Sequence, residues 1–304
     1  MALDVLVAIR QAEPGMSPAE KRVASLVREQ PARALSQTIT ELAESSRTSQ
    51  ATVLRFCRVL GYAGYPAFRI ALARSISKAE VERERFSIER GEIDAEDSAE
   101  DVVAKLAFHE ARTIEQTARF LDLDAVERIA DALVAADRIE MYGVGSSGLS
   151  CLDLQQKLNR IGLVSLSYAD PHLALTGAAL LTPQSIAIAI SYSGSTVETN
   201  HALEVAKNAG ATTVAITNYP DSPLAATARE VLVTMSEETQ FRSGAMSSRM
   251  AQLTVIDVLF VRTAQRVFAK ATTSLRLTHD AVQSHRIKSG GQPAFEPRPE
   301  PSGG

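Results

Sequence analysis

Residues 185–196, Ser-Ile-Ala-Ile-Ala-Ile-Ser-Tyr-Ser-Gly-Ser-Thr, run from an apolar stretch into a loop with hydroxyls at Ser191, Ser193, Ser195 and Thr196 and with Gly194 among them. Helix-compatible residues follow, from Val197 to Lys207. A buried strand that turns through small hydroxyl residues into a helix N-terminus makes an anion cradle. Backbone N–H groups, the helix dipole and the hydroxyls converge on one spot. The loop holds no Lys or Arg, so a phosphate there is held by neutral donors. An ordinary tight turn is the other reading of such a loop.

A second segment, Gly143-Val144-Gly145-Ser146-Ser147-Gly148, fits the G-x-G-x-x-G pattern. Asp170 falls near the end of the next apolar run, where a ribose-binding acid of a dinucleotide site would sit. Two features count against a dinucleotide: the turn is rich in Ser, and a second hydroxyl loop stands two strands later. A Walker-type site is excluded, because no Gly-Lys-Ser/Thr follows either loop. Both loops suit one small phosphorylated ligand. Neither requires a cofactor or a metal.

Positioning these loops requires strands that end at them. Expected strands are Arg138–Tyr142, Val164–Tyr168, Ser185–Ser191, Thr212–Thr217 and Val231–Thr234, most of them separated by helical patterns. That alternation predicts an α/β fold with a doubly wound parallel sheet covered on both faces. Both loops then lie at carboxyl ends of strands, where such sheets bind ligands. A long helix is expected from about Met246 to Ala269.

The first 77 residues read differently, as an all-helical module. Ser17-Pro18-Ala19-Glu20 is a helix start, with Ser as N-cap, Pro first and Glu third. A short helix begins around Thr38-Ile39-Thr40-Glu41, and Ser45-Ser46-Arg47-Thr48 is a turn. Ser49-Gln50-Ala51-Thr52 opens a further helix. This is the helix-turn-helix arrangement, whose second helix presents its first turn to base edges in the major groove. That turn offers Ser49, Gln50 and Thr52. Arg47, Arg55, Arg58 and Arg69 are candidates for phosphate contacts, or in part for base contacts. A helical bundle used for dimerisation gives a similar pattern, but the surplus of Arg on the last helix disfavours it.

Charge supports the division. Residues 1–78 hold 11 Lys and Arg against 6 Asp and Glu, whereas the whole chain has a net charge of -4. A basic module joined to an acidic one suggests nucleic-acid binding at one end. Residues 78–100 form a charge-dense linker, helical at its start. Residues 101–285 form the α/β domain, and residues 286–304, rich in Gly and Pro, a disordered tail. Cys57 and Cys151 sit in helix-like apolar patterns and are expected to be reduced and buried. Asp4 and Arg10 interrupt the apolar N-terminus, and no apolar run approaches a membrane span. The protein is therefore expected to be cytoplasmic, with no membrane partner.

Met16-Ser17-Pro18-Ala19-Glu20, Thr40-Glu41-Leu42-Ala43, Ser49 through Arg58 and Leu60-Gly61-Tyr62-Ala63-Gly64-Tyr65 resemble the N-terminal domain of RpiR/HexR-type transcriptional regulators. The second domain of that family is a sugar isomerase (SIS) domain. The 143–147 and 191–196 segments resemble its phosphosugar-binding loops. The resemblance implies that Ser191, Ser193 and Thr196 bind phosphate, with Gly194 and Ser195 in the same loop. It implies that Gly145, Ser146 and Ser147 contact the sugar or phosphate. Asp170-Pro171-His172 and 241–249 also resemble family segments, and Glu238, Arg242 and Arg249 become candidate pocket residues. His172 reads better as a helix-start or packing residue. One departure is visible: Ser45-Ser46-Arg47-Thr48 stands where the family has small or Gly-containing turns.

SIS domains also occur in isomerases, whose chemistry needs a placed general base. Glu198, Glu238 and His172 are candidates, but no spacing singles one out, so no catalytic residue is assigned. The expectation is a non-enzymatic, dimeric or tetrameric regulator, acting as a repressor of carbohydrate genes on a double-stranded DNA operator. A phosphosugar effector would shift its DNA affinity by linkage. The other class is a phosphosugar isomerase whose helical N-domain only dimerises.

Overall fold

A computed structural model describes residues 4–85, 93–236 and 246–283. Among the described residues its N-terminal module has six α-helices: α1 (Val5–Ala12), α2 (Pro18–Glu29), α3 (Pro31–Ser36), α4 (Ile39–Ser45), α5 (Gln50–Val59) and α6 (Tyr65–Arg85), with a short 3-10 turn at Glu13–Gly15. Ser17 and Glu20 form the capping box that starts α2, and Thr38 and Glu41 form another at α4. The apolar faces converge on a core that includes Ile9, Val23, Val53, Phe56 and Phe68. Phe56 and Phe68 meet edge to face with centroids 5.6 Å apart.

The second module opens with α7 (Ala99–Phe120) and α8 (Leu123–Ala135). Strands and helices then alternate: β1 (Ile139–Tyr142), α9 (Ser146–Arg160), β2 (Ser165–Tyr168), α10 (Pro171–Ala178), β3 (Ile186–Ile190) and α11 (Val197–Asn208). β4 (Thr212–Thr217), α12 (Pro223–Thr227), β5 (Glu230–Val233), α13 (Met246–Arg266) and α14 (Phe268–Gln283) follow. The sheet is wholly parallel, in the order β2-β1-β3-β4-β5. The five expected strands are all present. β4 has the expected bounds, and the other four differ from the sequence reading by one residue at one or both ends, the margin within which ladder bonds define a strand's end.

β3 shows how sequence sets the two faces. Its Ile-Ala-Ile-Ala-Ile run alternates by strand geometry. Ile186, Ile188 and Ile190 enter a core shared with α8, α9 and α13, while Ala187 and Ala189 face α10, α11 and α12. Each buried Ile contributes about 1.5–3 kcal/mol. The small Ala face lets α11 approach the sheet closely. That approach fixes where the α11 N-terminus lies.

The long helix expected from about Met246 to Ala269 is present as α13, and a further helix, α14, follows it after a turn at Val267. The turn there brings Ala271 and Leu275 into the α9-side core, and this burial favours a turn over a straight continuation. α8 is locked to α13 by Glu127, which pairs with Arg262 at 2.8 Å and Arg266 at 2.6 Å. Hydrogen bonds from these two guanidinium groups hold the Glu127 carboxyl down at about 2.

The modules touch through α1 and α6. Arg112 on α7 lies 3.7 Å from the Asp4 carboxylate, and Lys78 on α6 bridges to Glu115 on α7 at 3.1 Å. Gln11 Nε2 donates to the Met235 sulfur at 3.0 Å. Burial first, then the neighbouring Arg28 and Arg112 charges, lowers the Arg10 guanidinium to about 10. Among the described residues no helix is long and apolar enough to cross a membrane.

Candidate functional site

β1 and β3 are neighbours, with Tyr142 beside Ala189. From β1 the sheet order runs one way to β2 and the other way to β3. The loops that leave β1 and β3 therefore flank the point where the strand order reverses, the place where open α/β sheets form a crevice.

The loop after β3 is tied down from within. Ser191 is buried, and its Oγ accepts the Gly194 N–H at 3.1 Å and lies 3.1 Å from Thr196 Oγ1. Ser193 Oγ accepts the Ser195 N–H at 3.2 Å. Ser193 and Ser195 are exposed and Thr196 is half-buried. Gly194 has φ +63°, and a Cβ placed there would stand 2.1 Å from Ser222 Oγ. Only glycine lets the loop close against Ser222. The Gly194 carbonyl accepts Leu224 N–H at 3.0 Å and Asn200 Nδ2 at 3.1 Å. No side chain caps α11, so its first-turn N–H groups and its positive dipole end face the loop's mouth.

The loop after β1 packs differently. A Cβ on Gly143 would lie 2.9 Å from Cys151 Sγ and from the Ser147 carbonyl. That close approach folds the turn directly onto α9. Gly145 is the N-cap of α9, and it offers no side-chain cap. Ser146 and Ser147 are half-buried in the first turn of α9. Gln252, a buried residue of α13, donates from Nε2 to Ser147 Oγ at 3.1 Å and accepts from Ser150 Oγ at 2.8 Å. Sequence reasoning missed Gln252, because these partners lie about a hundred residues apart and share no local pattern. Asn218 was missed too, because its partners Tyr192 and Ser236 lie just past the ends of neighbouring strands and share no local pattern with it. Its N–H donates to the Tyr192 carbonyl at 3.1 Å, and its Oδ1 accepts Ser236 N–H at 2.8 Å.

Asp170 is not placed for a ribose. Its carboxylate caps α10 by accepting the Leu173 N–H at 2.9 Å. His172 lies exposed in the first turn of α10. Glu198 is also exposed, and with Tyr142, Gly143 and Tyr168 it borders a shallow recess of about 250 Å³, its open mouth included. Beneath that recess Glu140, buried on β1, accepts from Tyr142 Oη at 2.6 Å and pairs with Arg138 at 2.5 Å. Burial, then the bond to Glu140, pushes the Tyr142 phenol far above its ordinary range. Arg249 is exposed on α13. Glu238 and Arg242 lie outside the described residues, as does the 286–304 tail. No group of His, Cys, Asp and Glu among the described residues is arranged to hold a metal.

In the first module α4, a turn and α5 make the helix-turn-helix. Ser49 caps α5 by accepting the Thr52 N–H. Ser49, Gln50, Arg55 and Arg58 are exposed along α5 and its start, with Arg47 exposed in the turn and Arg69 on α6. Thr52 corrects the sequence reading: it is only 4% exposed, and its Oγ1 lies 3.1 Å from Ser49 Oγ and accepts from Arg55 Nη2 at 3.2 Å. Thr52 stands one helical turn before Phe56 on the core face, a spacing that was already visible in the sequence. Gln50 Nε2 donates to Thr40 Oγ1 at 2.9 Å, so that amide must rotate to meet a base. Arg47 takes φ +51°, the backbone form that Gly adopts freely. Arg22 braces it by donating to the Arg47 carbonyl at 3.1 Å and the Ser46 carbonyl at 3.3 Å.

A helix-turn-helix module joined to a parallel α/β domain with paired hydroxyl loops defines a class: two-module helix-turn-helix proteins with an α/β second domain. Residues 3–79 match the helix-turn-helix domain of the rpiR family, and residues 132–262 match the SIS domain. The chain belongs to the rpiR family of HTH-type transcriptional regulators. It is 37% identical over 286 residues to an uncharacterized HTH-type transcriptional regulator of Caldanaerobacter subterraneus, covering 94% of this chain and 99% of that one. It is 34% identical over 258 residues to the bifunctional protein glk of Paraburkholderia xenovorans, covering 85% of this chain but 39% of that protein. Among solved structures, the Vibrio vulnificus NanR protein complexed with ManNAc-6P superposes with a TM-score of 0.59 at 30% identity, covering 93% of this chain and all (100%) of that one.

Proposed function

We propose that this protein is a ligand-controlled transcriptional regulator, a repressor of carbohydrate genes, that binds a double-stranded operator through α5 and a phosphosugar at the β1 and β3 loops. The observation that supports it most is the pairing of two hydroxyl loops on adjacent strands, in one chain with an Arg-bearing helix-turn-helix. Ser193, Ser195 and Thr196, with the α11 amides, take the phosphate, while Ser191 holds the loop's shape. Gly145, Ser146 and Ser147 meet the sugar. Arg47, Ser49, Gln50, Arg55, Arg58 and Arg69 face DNA. A phosphosugar-binding structural neighbour adds support.

The effector acts by linkage: a ligand that prefers one arrangement of the DNA-binding modules shifts operator affinity, typically by about 1–3 kcal/mol. The contacts of α1 and α6 with α7 and Met235 are where that arrangement is set. The protein works as a cytoplasmic homodimer or tetramer, without catalysis, because two recognition helices read two half-sites. The test is fluorescence anisotropy on DNA from upstream of the protein's own gene, at several salt concentrations, with and without phosphosugars. Salt-sensitive binding that one phosphosugar changes is the expected result. Turnover of a phosphosugar without specific DNA binding would overturn the proposal in favour of an isomerase.

A further inference from the structure

We propose that Gln252 is a positioning residue that fixes the Ser147 hydroxyl as a hydrogen-bond donor to the bound ligand. The inference rests on the reading of the β1 and β3 loops as a phosphosugar site. Gln252 is 2% exposed and Ser150 is fully buried. A buried serine hydroxyl has one proton to give. Ser150 gives it to Gln252 Oε1 at 2.8 Å. That bond orients the amide, because its oxygen is committed to Ser150 and its NH2 must face the other way. The NH2 meets Ser147 Oγ at 3.1 Å.

An amide NH2 only donates, so Ser147 accepts from it with one lone pair. The Ser147 proton is therefore directed elsewhere. Ser147 is half-buried in the first turn of α9, whose N-terminus has no side-chain cap. Its hydroxyl proton and the first-turn N–H groups of α9 then offer donors on the crevice side. This set suits a phosphoryl oxygen or a sugar oxygen acting as acceptor, and it disfavours a cationic substituent. The relay Ser150 to Gln252 to Ser147 thus sets the polarity of a hydroxyl that would otherwise donate or accept with equal ease.

Gln252→Glu reverses the polarity with little change in shape. An ionised carboxylate accepts hydrogen bonds from both serines, draws the Ser147 O–H towards itself and leaves the Ser147 lone pairs facing the ligand. A neutral carboxylic acid has one O–H and restores the donor that Gln252 supplies. Titration calorimetry with N-acetylmannosamine 6-phosphate, glucose 6-phosphate and inorganic phosphate would be run from pH 6 to pH 9 on wild type, Gln252→Glu, Gln252→Met, Ser147→Ala and the Gln252→Glu/Ser147→Ala double variant. The ratio of variant to wild-type Kd cancels the ligand's own titration. For Gln252→Glu that ratio is expected to grow with pH, reaching about tenfold or more. For Gln252→Met, which frees Ser147 without reversing it, the ratio is expected to be smaller and independent of pH. Ser147→Ala is expected to abolish the pH dependence in the double variant.

A ratio for Gln252→Glu that stays near 1 across the pH range, with wild-type melting behaviour, overturns the positioning role while leaving the phosphosugar site intact. A pH dependence that persists without the Ser147 hydroxyl overturns it as well. Failure of the wild type to bind any of the three probes overturns the site reading and this inference with it.

Discussion

Replacing Gly194 with alanine forces two separate costs onto the loop after β3. The residue's φ of +63° lies in the left-handed region, which costs a side-chain-bearing residue about 1–2 kcal/mol. The new Cβ would also stand 2.1 Å from Ser222 Oγ and 2.3 Å from Ser222 Cβ. Ordinary carbon contacts are about 3.5–4.0 Å, so loop and β4–α12 turn must part by more than an ångström. Such overpacking costs about 1–3 kcal/mol. Parting them also weakens the bonds from Leu224 N and Asn200 Nδ2 to the Gly194 carbonyl. The sum is about 2–5 kcal/mol, against a typical domain stability of about 5–15 kcal/mol. The variant is thus expected to stay folded with a lower urea midpoint and a displaced loop. Phosphosugar affinity by calorimetry should fall by about tenfold or more, while operator affinity without effector stays at the wild-type level. An unchanged urea midpoint together with wild-type phosphosugar affinity would refute the claim that this glycine shapes the cradle.

Three further variants address the proposed ligand and DNA faces. Ser191→Ala with Ser193→Ala removes the hydroxyl that holds the loop, whose neutral bonds contribute about 0.5–1.5 kcal/mol each, and an exposed donor, whose bond to a charged phosphate contributes about 1.5–3 kcal/mol. Effector response should vanish with operator binding retained, and a folded double variant that loses DNA binding would contradict the division of labour. Arg55→Ala should weaken operator binding by about 1–3 kcal/mol if Arg55 reads a base, or lower the salt slope by about 1 if it meets a phosphate, with phosphosugar affinity unchanged. Unaltered affinity and slope would remove Arg55 from the interface. Arg47→Gly should raise the unfolding free energy by about 1 kcal/mol, because glycine adopts φ +51° without strain, and should weaken DNA binding. A drop in stability would show that the Arg47 side chain contributes more to this turn than the strain its backbone carries.

The strands were legible because each is buried in a parallel sheet and so reads as a short apolar run. In β3 the Ile and Ala residues alternate as well, so the sequence already separated the face under α9 from the face under α11. Gly143 and Gly194 were legible as turn residues, but their purpose was not. Cys151 and Ser222, the groups that exclude a Cβ at these positions, come from other elements. The turn between α13 and α14 left no mark at Val267, an apolar residue with no Gly or Pro beside it, because the force that bends the chain there is burial of Ala271 against other elements. Thr52 shows a signal that was present and overruled: polar type suggested the DNA face, whereas spacing from Phe56 put it in the core.

What the amino-acid sequence determined by itself was local: helix starts through Ser17, Thr38 and Ser49, strand ends through loss of apolar residues, and two hydroxyl loops at the right ends of their strands. Those features depend on backbone preferences and burial patterns within a few residues. Tertiary structure alone decided that the two loops adjoin, because strand order places β1 next to β3. It alone decided that Gln252 meets Ser147 and that Gln11 of the first module meets Met235 of the second. Such contacts join residues about a hundred or more positions apart. They follow from how whole elements pack, and no local pattern in the chain records them.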